Sequence, residues 1–339
     1  MTRNRRATMH DVAALAGVSQ KTVSRVVNGE QNVTPAVVDK VQRAVEQLGY
    51  RHNLAASALR SGQPTRSIAL LVQDLSNDYS AAVLRALDDA TRERGVMVLS
   101  ASLDEEETRE RELVSDLINR RVDGLVMMPT AESQAYLQPD LRAGFAVVAI
   151  DRPPRHAAAD SVVVDNAGGA YDGTTHLLSF GHRRIALLVD EPRIATAAAR
   201  RDGYERALKA AGLPVDPALV RTTRSVLDAR AAVADLLAMP DPPTAVFAAR
   251  NTLTIGAALE LRAKALHRAI ALVGFDEIRL AELADPGITT IEQRPGDIGR
   301  EAARLLLARL DGWTGPPEEQ VLPTYLIPRG SGEIAGPGT

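Results

Sequence analysis

From Ser67 onward the chain alternates short apolar, β-rich runs with helical stretches, and few folds accept that pattern. The runs SIALLV, GVMVLSA, GLVMMP, FAVVAI and SVVVD form one group, and RIALLV, TAVFAA and AIALVGF form a second. Such alternation reads as parallel βαβ units. Two groups predict a pair of doubly wound subdomains with a cleft between them, and ligands of such folds gather at the carboxyl ends of the strands.

The 339 residues, 45% of them hydrophobic, bury a large core and suggest two or three structural units. There is no cysteine, which excludes a disulfide framework and a Cys-based zinc site and makes a reducing cytoplasm the simpler assumption. The opening MTRNRRATMH is basic but leads into no apolar segment. No later run approaches the roughly 18 apolar residues that a membrane span needs, so a soluble, unexported, cytoplasmic protein is expected. Net charge is −3, unevenly spread: residues 1–60 hold nine Lys/Arg against four Asp/Glu, and the remainder 31 against 39. A basic head on an acidic body suits a head that meets a polyanion, although a solvated basic face gives the same count.

In that head, Thr8 and Asp11 are spaced for a capping box, with Val12, Leu15 and Ala16 at helical spacing behind them. Gly17 can end this first helix. Ser19 caps a second, which carries Val23, Val26 and Val27 inward as far as Asn28-Gly29. Thr34 and Pro35 then open a third helix, with Val37, Val38, Val41, Val45 and Leu48 on its buried side. This is the layout that sets a second helix into a major groove, where its outer residues Gln20, Lys21, Thr22, Ser24 and Arg25 reach the DNA. An arginine there bonds guanine O6 and N7 together. A three-helix protein-interaction module shares the pattern.

The run from Thr8 to Asn28, TMHDVAALAGVSQKTVSRVVN, resembles the amino-terminal signature of the lactose-repressor (LacI/GalR) family of bacterial regulators. The resemblance implies that Gln20 and Lys21 chiefly distinguish one operator from another, with Arg25 making a more general base contact. It places Thr8, His10, Ser19, Thr22, Ser24 and Asn28 on the phosphate backbone. Residues 53–60, NLAASALR, would make a helix of barely two turns, too short to be stable alone. The resemblance implies that two subunits pair these hinge helices in the minor groove, with Leu59 wedged between base pairs. An ordinary buried linker leucine is the alternative for Leu59.

The resemblance continues through the body, where it implies a periplasmic-binding-protein fold whose chain crosses between lobes. Its markers include Val122-Asp123-Gly124, Ile150-Asp151-Arg152, Val164-Asp165-Asn166, Phe180-Gly181-His182, Gly203-Tyr204, Gly274-Phe275-Asp276 and Thr289-Thr290-Ile291. Most read as structural, His182 as a helix cap or surface contact. Carried over by position, the effector contacts are Asn77, Asp78, Tyr79, Asp151, Arg200, Asn251 and Asp276. A guanidinium and a carboxylate facing a cleft bind hydroxyls or acids with paired hydrogen bonds, though Arg200 and Asp276 would equally form a salt bridge in its wall.

This chain departs from the family where Asn-Asp is common and it has Arg250-Asn251, and where Asp78 replaces a usual proline. Arg250 therefore suggests an acidic effector, a sugar acid or sugar phosphate rather than a plain sugar, unless it points to solvent. The aromatic content of 3% leaves few rings to stack on a pyranose.

The whole reads as an α/β protein with an all-α helix-turn-helix head (1–52), a hinge helix and linker (53–66) and a two-lobed effector-binding and dimerisation domain (67–339). Lobe 1 takes about 67–163 and 295–322, lobe 2 about 164–291 and 323–335. A homodimer on a pseudo-palindromic double-stranded operator follows from two-fold symmetry. The tail after Arg329 has no leucine heptads, so no tetramerising coiled coil is expected. An exported solute-binding protein would share the body but not the head. An enzyme is disfavoured: there is no Walker motif, GxSxG, HExxH or strand-borne GxGxxG, and neither cofactor nor metal is expected.

Overall fold

The computed structural model describes residues 7–28, 32–51 and 64–337. The chain divides into a small unit up to Thr65 and a large one from Arg66. The small unit holds α1 (Met9–Ala16), α2 (Gln20–Val27) and α3 (Pro35–Leu48). Asp11 N–H donates to Thr8 Oγ1 while the Asp11 carboxylate accepts from Thr8 N–H, so the capping box forms. Gly17 ends α1 in the left-handed region, φ 66°, which costs glycine nothing. Thr22 N–H donates to Ser19 Oγ at the start of α2. Thr34 departs from expectation: its side chain makes no capping bond, and only its carbonyl accepts, from Val37 and Val38.

Val12, Val23 and Val41 are fully buried at the centre of this unit. Leu15 and Leu48, expected inside, are 46% and 36% exposed. A unit this small has one thin core, which only the innermost stripe of each helix reaches.

The large unit runs, in chain order, through β1 (Ser67–Val72), α4 (Asp78–Arg92), β2 (Met97–Ser102), α5 (Glu107–Asn119), β3 (Gly124–Met127), α6 (Gln138–Arg142), β4 (Ala146–Ile150) and β5 (Asp160–Val164). It continues with α7 (Asn166–Ser179), β6 (Ile185–Val189), α8 (Ala195–Ala210), β7 (Val220–Thr222), α9 (Val226–Leu237), β8 (Ala245–Ala248), α10 (Asn251–Ala263), β9 (Ala271–Phe275) and β10 (Thr289–Glu292). The last elements are α11 (Pro295–Leu310), β11 (Glu319–Leu322) and β12 (Tyr325–Ile327). They build two six-stranded sheets, ordered β11-β5-β4-β3-β1-β2 and β12-β10-β9-β8-β6-β7. All neighbours are parallel except β10 and β12.

Each sheet is covered on both faces, and the strands show why. Ile68, Leu70 and Val72 pack on one side with α4 and α11, while Ala69 and Leu71 pack on the other with α5. In the second sheet Ile185, Leu187 and Val189 face α7 and α8, and Ala186 and Leu188 face α9 and α10. Period-two side chains that are apolar in both phases require two apolar layers. Helix pairs close tightly where glycine permits. A Cβ on Gly203 of α8 would stand 2.2 Å from the Ala167 carbonyl of α7, and one on Gly299 of α11 2.7 Å from the Val83 carbonyl of α4.

The chain leaves the first sheet after β5, returns to it after β10 and leaves again after β11. Two of these passages lie side by side, since Asp165 N–H donates to the Leu322 carbonyl at 3.0 Å. The lobes are thus joined by crossing strands and face each other across a cleft.

Candidate functional site

In the small unit, Ser19 places Gln20, Lys21 and Thr22 in the first turn of α2, where backbone N–H groups and the helix dipole favour a phosphate. Gln20, Lys21, Arg25 and Asn28 are exposed, and Thr22 and Ser24 half-buried. Val23, the helix's one buried residue, faces the opposite way into the core. The Gln20 amide hydrogen-bonds His10 Nδ1 at 3.0 Å, Ser19 Oγ meets Thr22 Oγ1 at 2.9 Å, and Asn28 donates to Ser24 Oγ at 3.3 Å. The residues expected to read bases and those expected to hold phosphates therefore share one polar face. Leu59 and the hinge segment 53–60 lie outside the described residues.

The cleft between the lobes is built from residues that immediately follow strands. Gln73 comes after β1, Met128 after β3, Asp151 after β4, Asp190 after β6, Asp276 after β9 and Gln293 after β10. Asp151 and Asp276 turn out of their strands in the left-handed region, φ 66° and 71°, a conformation held by its surroundings. Arg200, projecting from α8, is buried: it donates to Asn166 Oδ1 and the Ala249 carbonyl, both at 2.8 Å, and stacks 3.8 Å from the Phe275 ring. Its Nη1 lies 3.6 Å from Asp276. Asp276 also accepts from Asn251 N–H and from the Gln293 amide.

Asn251 reaches across the cleft. Its Nδ2 donates to Asn77 Oδ1 at 2.8 Å, and Asn77 Nδ2 returns a bond to Asn251 Oδ1 at 3.2 Å. A continuous chain of contacts thus links Asn166, Arg200, Asp276 and Asn251 of one lobe to Asn77 at the start of α4 in the other. The space remaining at the centre is about 50 Å³, room for a few waters, each needing ~10–15 Å³.

Three buried polar atoms of this lining, the Tyr79 hydroxyl, Arg152 Nε and Gln293 Oε1, have no hydrogen-bond partner among the described residues. The buried Tyr79 hydroxyl makes no hydrogen bond, and burial, with the Asp151 and Asp276 charges nearby, pushes its pKa well up, so it stays a neutral donor. The Asp151 carboxylate accepts no hydrogen bond among the described residues, its nearest cation being Arg152 Nε at 3.4 Å. Burial raises its pKa, partly offset by Arg152 and Arg200.

Two expected effector contacts are already paired within the protein. Asp78 pairs with Arg279 of the opposite lobe at 2.8 Å, beside the cleft rather than within its central lining. Arg250 does line the cleft, but its three nitrogens are committed to Asp190, Thr252 Oγ1 and the Arg224 carbonyl. The charge that suggested an acidic ligand is already neutralised by Asp190, whose pKa burial raises and Arg250 lowers. His182 caps α7 through its backbone, its N–H donating to the Leu177 carbonyl at 3.3 Å, but it is no surface contact. It is fully buried, bonded to Thr244 Oγ1 and the Ile334 carbonyl.

Comparison with known proteins places this geometry. Residues 8–53 match the "Bacterial regulatory proteins, lacI family" and residues 174–332 the "Periplasmic binding protein-like domain". The HTH-type transcriptional regulator CelR of Thermobifida fusca is 36% identical over 98% of this chain and 100% of its own. The chain belongs to the lacI family of bacterial regulatory proteins. DegA of Bacillus subtilis, another HTH-type transcriptional regulator, is 30% identical over 96% of this chain and 98% of its own. Among solved structures, a transcriptional regulator CelR–cellobiose complex is 34% identical, covering 96% of this chain and 100% of that one, TM-score 0.70. A Lac repressor dimer bound to operator and the anti-inducer ONPF is 25% identical, covering 98% and 100%, TM-score 0.84. This lacI-family regulator therefore has a DNA-binding head and a two-lobed periplasmic-binding-protein-like domain. Sequence reasoning did not single out Asp190 or Gln293 as cleft residues, nor Asn166 as the partner of Arg200. The signal available was position: Asp190 and Gln293 each follow the end of a strand.

Proposed function

We propose that this regulator acts as a cytoplasmic homodimer whose hold on a pseudo-palindromic operator is set by a neutral sugar bound between the lobes. The observation that carries the ligand class is a cleft carboxylate, Asp151, that is given no hydrogen bond, near a Tyr79 hydroxyl that makes none. The Asp151 carboxylate wants hydroxyl donors, the Tyr79 hydroxyl can give or take one bond, and the cleft arginines Arg152, Arg200 and Arg250 each have an opposing carboxylate. An anion would meet arginines already paired with carboxylates, whereas a polyol can give Asp151 the hydrogen bonds it lacks. The ribose-bound LacI-family regulator from Enterococcus faecium and the cellobiose complex of CelR support a sugar.

Asp151, Arg200, Asn251, Asp276, Asn77 and Tyr79 are the contacts we assign. A sugar ring needs more room than the present cleft offers, so its entry must loosen the Asn77–Asn251 bridge. Coupling of sugar to DNA is then a shift between two arrangements of the lobes. In the head, Gln20, Lys21 and Arg25 take the bases, and Thr8, His10, Ser19, Thr22, Ser24 and Asn28 the phosphates. Leu280 and Leu283, 66% and 78% exposed, are leucines that a second copy would cover. The reading is sensing without catalysis, since the cleft's arginines and carboxylates are spent on one another and on binding.

The test is calorimetric titration of the full chain with neutral sugars, sugar acids and sugar phosphates. A neutral sugar should bind, with affinity little changed by salt. Tighter binding of an acid than of any neutral sugar contradicts the assignment.

A further inference from the structure

Glu105 occupies a turn that does not suit a glutamate. Glu106 N–H donates to the Leu103 carbonyl at 3.0 Å, and both residues between them have positive φ, Asp104 at 56° and Glu105 at 58°. Two successive left-handed residues favour Gly, Asn or Asp, so glutamate in the second place is strained. Strain of this kind persists where the surroundings impose it, and here they engage the side chain completely. Arg152 Nη1 donates to Glu105 Oε2 at 3.0 Å and Nη2 to Oε1 at 2.5 Å, while Nη1 also reaches the Pro129 carbonyl at 3.2 Å. The pair is largely buried, its side chains 13% and 15% exposed, and a forked guanidinium–carboxylate pair has a fixed geometry. Arg152 lines the central cleft and Glu105 does not.

What this pairing prevents is visible beside it. Arg152 N–H donates to the Ile150 carbonyl at 2.7 Å around Asp151, φ 66°, so that Asp151 and Arg152 share one corner of the cleft. Arg152 Nε stands 3.4 Å from Asp151 Oδ2, an ion pair without a hydrogen bond. A buried guanidinium deprived of Glu105 would turn its Nη groups onto another carboxylate. Asp190 acts on Arg152 through its charge but is bonded to Arg250, which leaves Asp151, already within reach. We propose that Glu105 is a positioning residue of the effector site: by holding the Arg152 guanidinium it keeps the Asp151 carboxylate free for ligand hydroxyls, and so sets the preference for an uncharged ligand. The assignment rests on the sugar-sensing reading above and adds a selectivity residue behind the cleft wall.

The charges facing Asp151 point the same way. Burial raises its pKa, Arg152 and Arg200 lower it, and Asp276 and Glu105 raise it again. Removing Glu105 withdraws one negative neighbour and releases one cation, and both changes favour an ionised Asp151 bonded to Arg152. A neutral sugar then loses its acceptor. The group formed by Glu105, Arg152 and Asp151 also loses the single negative charge it carries, so an acidic ligand is repelled less.

The first experiment is a double-mutant cycle on the full chain, read by circular dichroism melting at pH 7.5 without ligand. In the parent, Asp151→Asn removes a buried carboxylate that accepts no hydrogen bond and should raise the melting temperature. In a Glu105→Gln background Asp151 holds Arg152, and the same change should lower it; adding Arg152→Met to that background should restore the parent's sign. A change of the same sign with and without Glu105 overturns the proposal. Should Glu105→Gln not fold, Glu105→Asp, one carbon too short for the fork, replaces it in the cycle. Calorimetry with glucose, galactose and mannose, their uronic acids, ribose and cellobiose then reads selectivity. For the neutral sugar the parent binds best, Glu105→Gln should weaken binding at least about tenfold, as for the loss of one hydrogen bond to a charged group. Arg152→Met added to it should recover the parent affinity to within about threefold, a rescue that a merely structural role for Glu105 does not give. Unchanged sugar affinity in Glu105→Gln, or no rescue, overturns the proposal. Binding of no sugar by the parent overturns the sugar-sensing reading and the selectivity drawn from it, while the sign reversal in melting decides separately whether Glu105 holds Arg152 off Asp151.

Discussion

Replacing Arg200 by methionine keeps much of the side chain's apolar stem while removing the charge, its donors and the guanidinium stacked on Phe275. Three partners lose out: Asn166 Oδ1 and the Ala249 carbonyl, each bonded at 2.8 Å, and Asp276, 3.6 Å away. The side chains of Arg200 and Asp276 are only 5% and 8% exposed, so water cannot replace what is lost. Removing one partner of a buried pair costs about 3–5 kcal/mol. The spacing of 3.6 Å exceeds a hydrogen bond, and Asp276 keeps the Asn251 and Gln293 donors. Most of the loss should therefore come from the two orphaned oxygens rather than from the ion pair. A double-mutant cycle with Asp276→Asn separates the contributions: the coupling should be about 1 kcal/mol, at the low end for residues in contact. Urea denaturation of the four proteins supplies the energies, and calorimetry should show sugar affinity falling at least about tenfold, the equivalent of 1.4 kcal/mol. A cost under about 1 kcal/mol for Arg200→Met, or unchanged sugar affinity, refutes the reasoning.

Other expectations are more compact. Arg25→Ala should cost about 1–3 kcal/mol on the cognate operator and relax base preference at one position, whereas an equal loss on all DNA in a competition binding assay would make Arg25 a phosphate contact. Asp151 has its carboxyl pKa raised by burial, so its charged form disfavours the folded state and this penalty appears as pH rises through the raised pKa. Asp151→Asn should accordingly melt higher than the parent at pH 7.5, with the gain shrinking on acidification, and should bind sugar more weakly; a lower melting temperature at pH 7.5 contradicts this. His182 has its pKa lowered by burial. The stability it confers is present above the unfolded value of about 6.5 and is lost as pH falls toward the folded one. Melting scans between pH 7.5 and 5.5 should show that loss, and His182→Gln, less stable throughout, should show a flatter profile.

The fold was legible because its strands are apolar in both phases. SIALLV and RIALLV can be satisfied only between two helical layers, and the sequence contains the helices to supply them. Edge strands were harder to see. β7 is three residues long and β12 follows Pro323, too short or too interrupted for an alternation to register. The head was readable down to its caps at Thr8 and Ser19 but not in the exposure of Leu15, because periodicity counts apolar positions without knowing how thick the core is. In the cleft, the family resemblance picked out Asp151 and Asp276. What sequence could not give was pairing. Arg250 looks like a free cation until Asp190, sixty residues away in the chain, is seen against it, and Asp78 looks like a ligand until Arg279 is found beside it. Charge neutralisation of this kind is a tertiary property and leaves no local pattern.

The central claim joins the two units: a sugar between the lobes changes how the head holds DNA. Fluorescence anisotropy of the full chain on a duplex selected from random sequence, with and without the sugar found by calorimetry, tests it directly. Operator affinity should change at least about tenfold with sugar, and Asp276→Ala should abolish that response. A sugar that binds the protein yet leaves operator affinity unmoved, or a head that shows no sequence preference, would contradict the account.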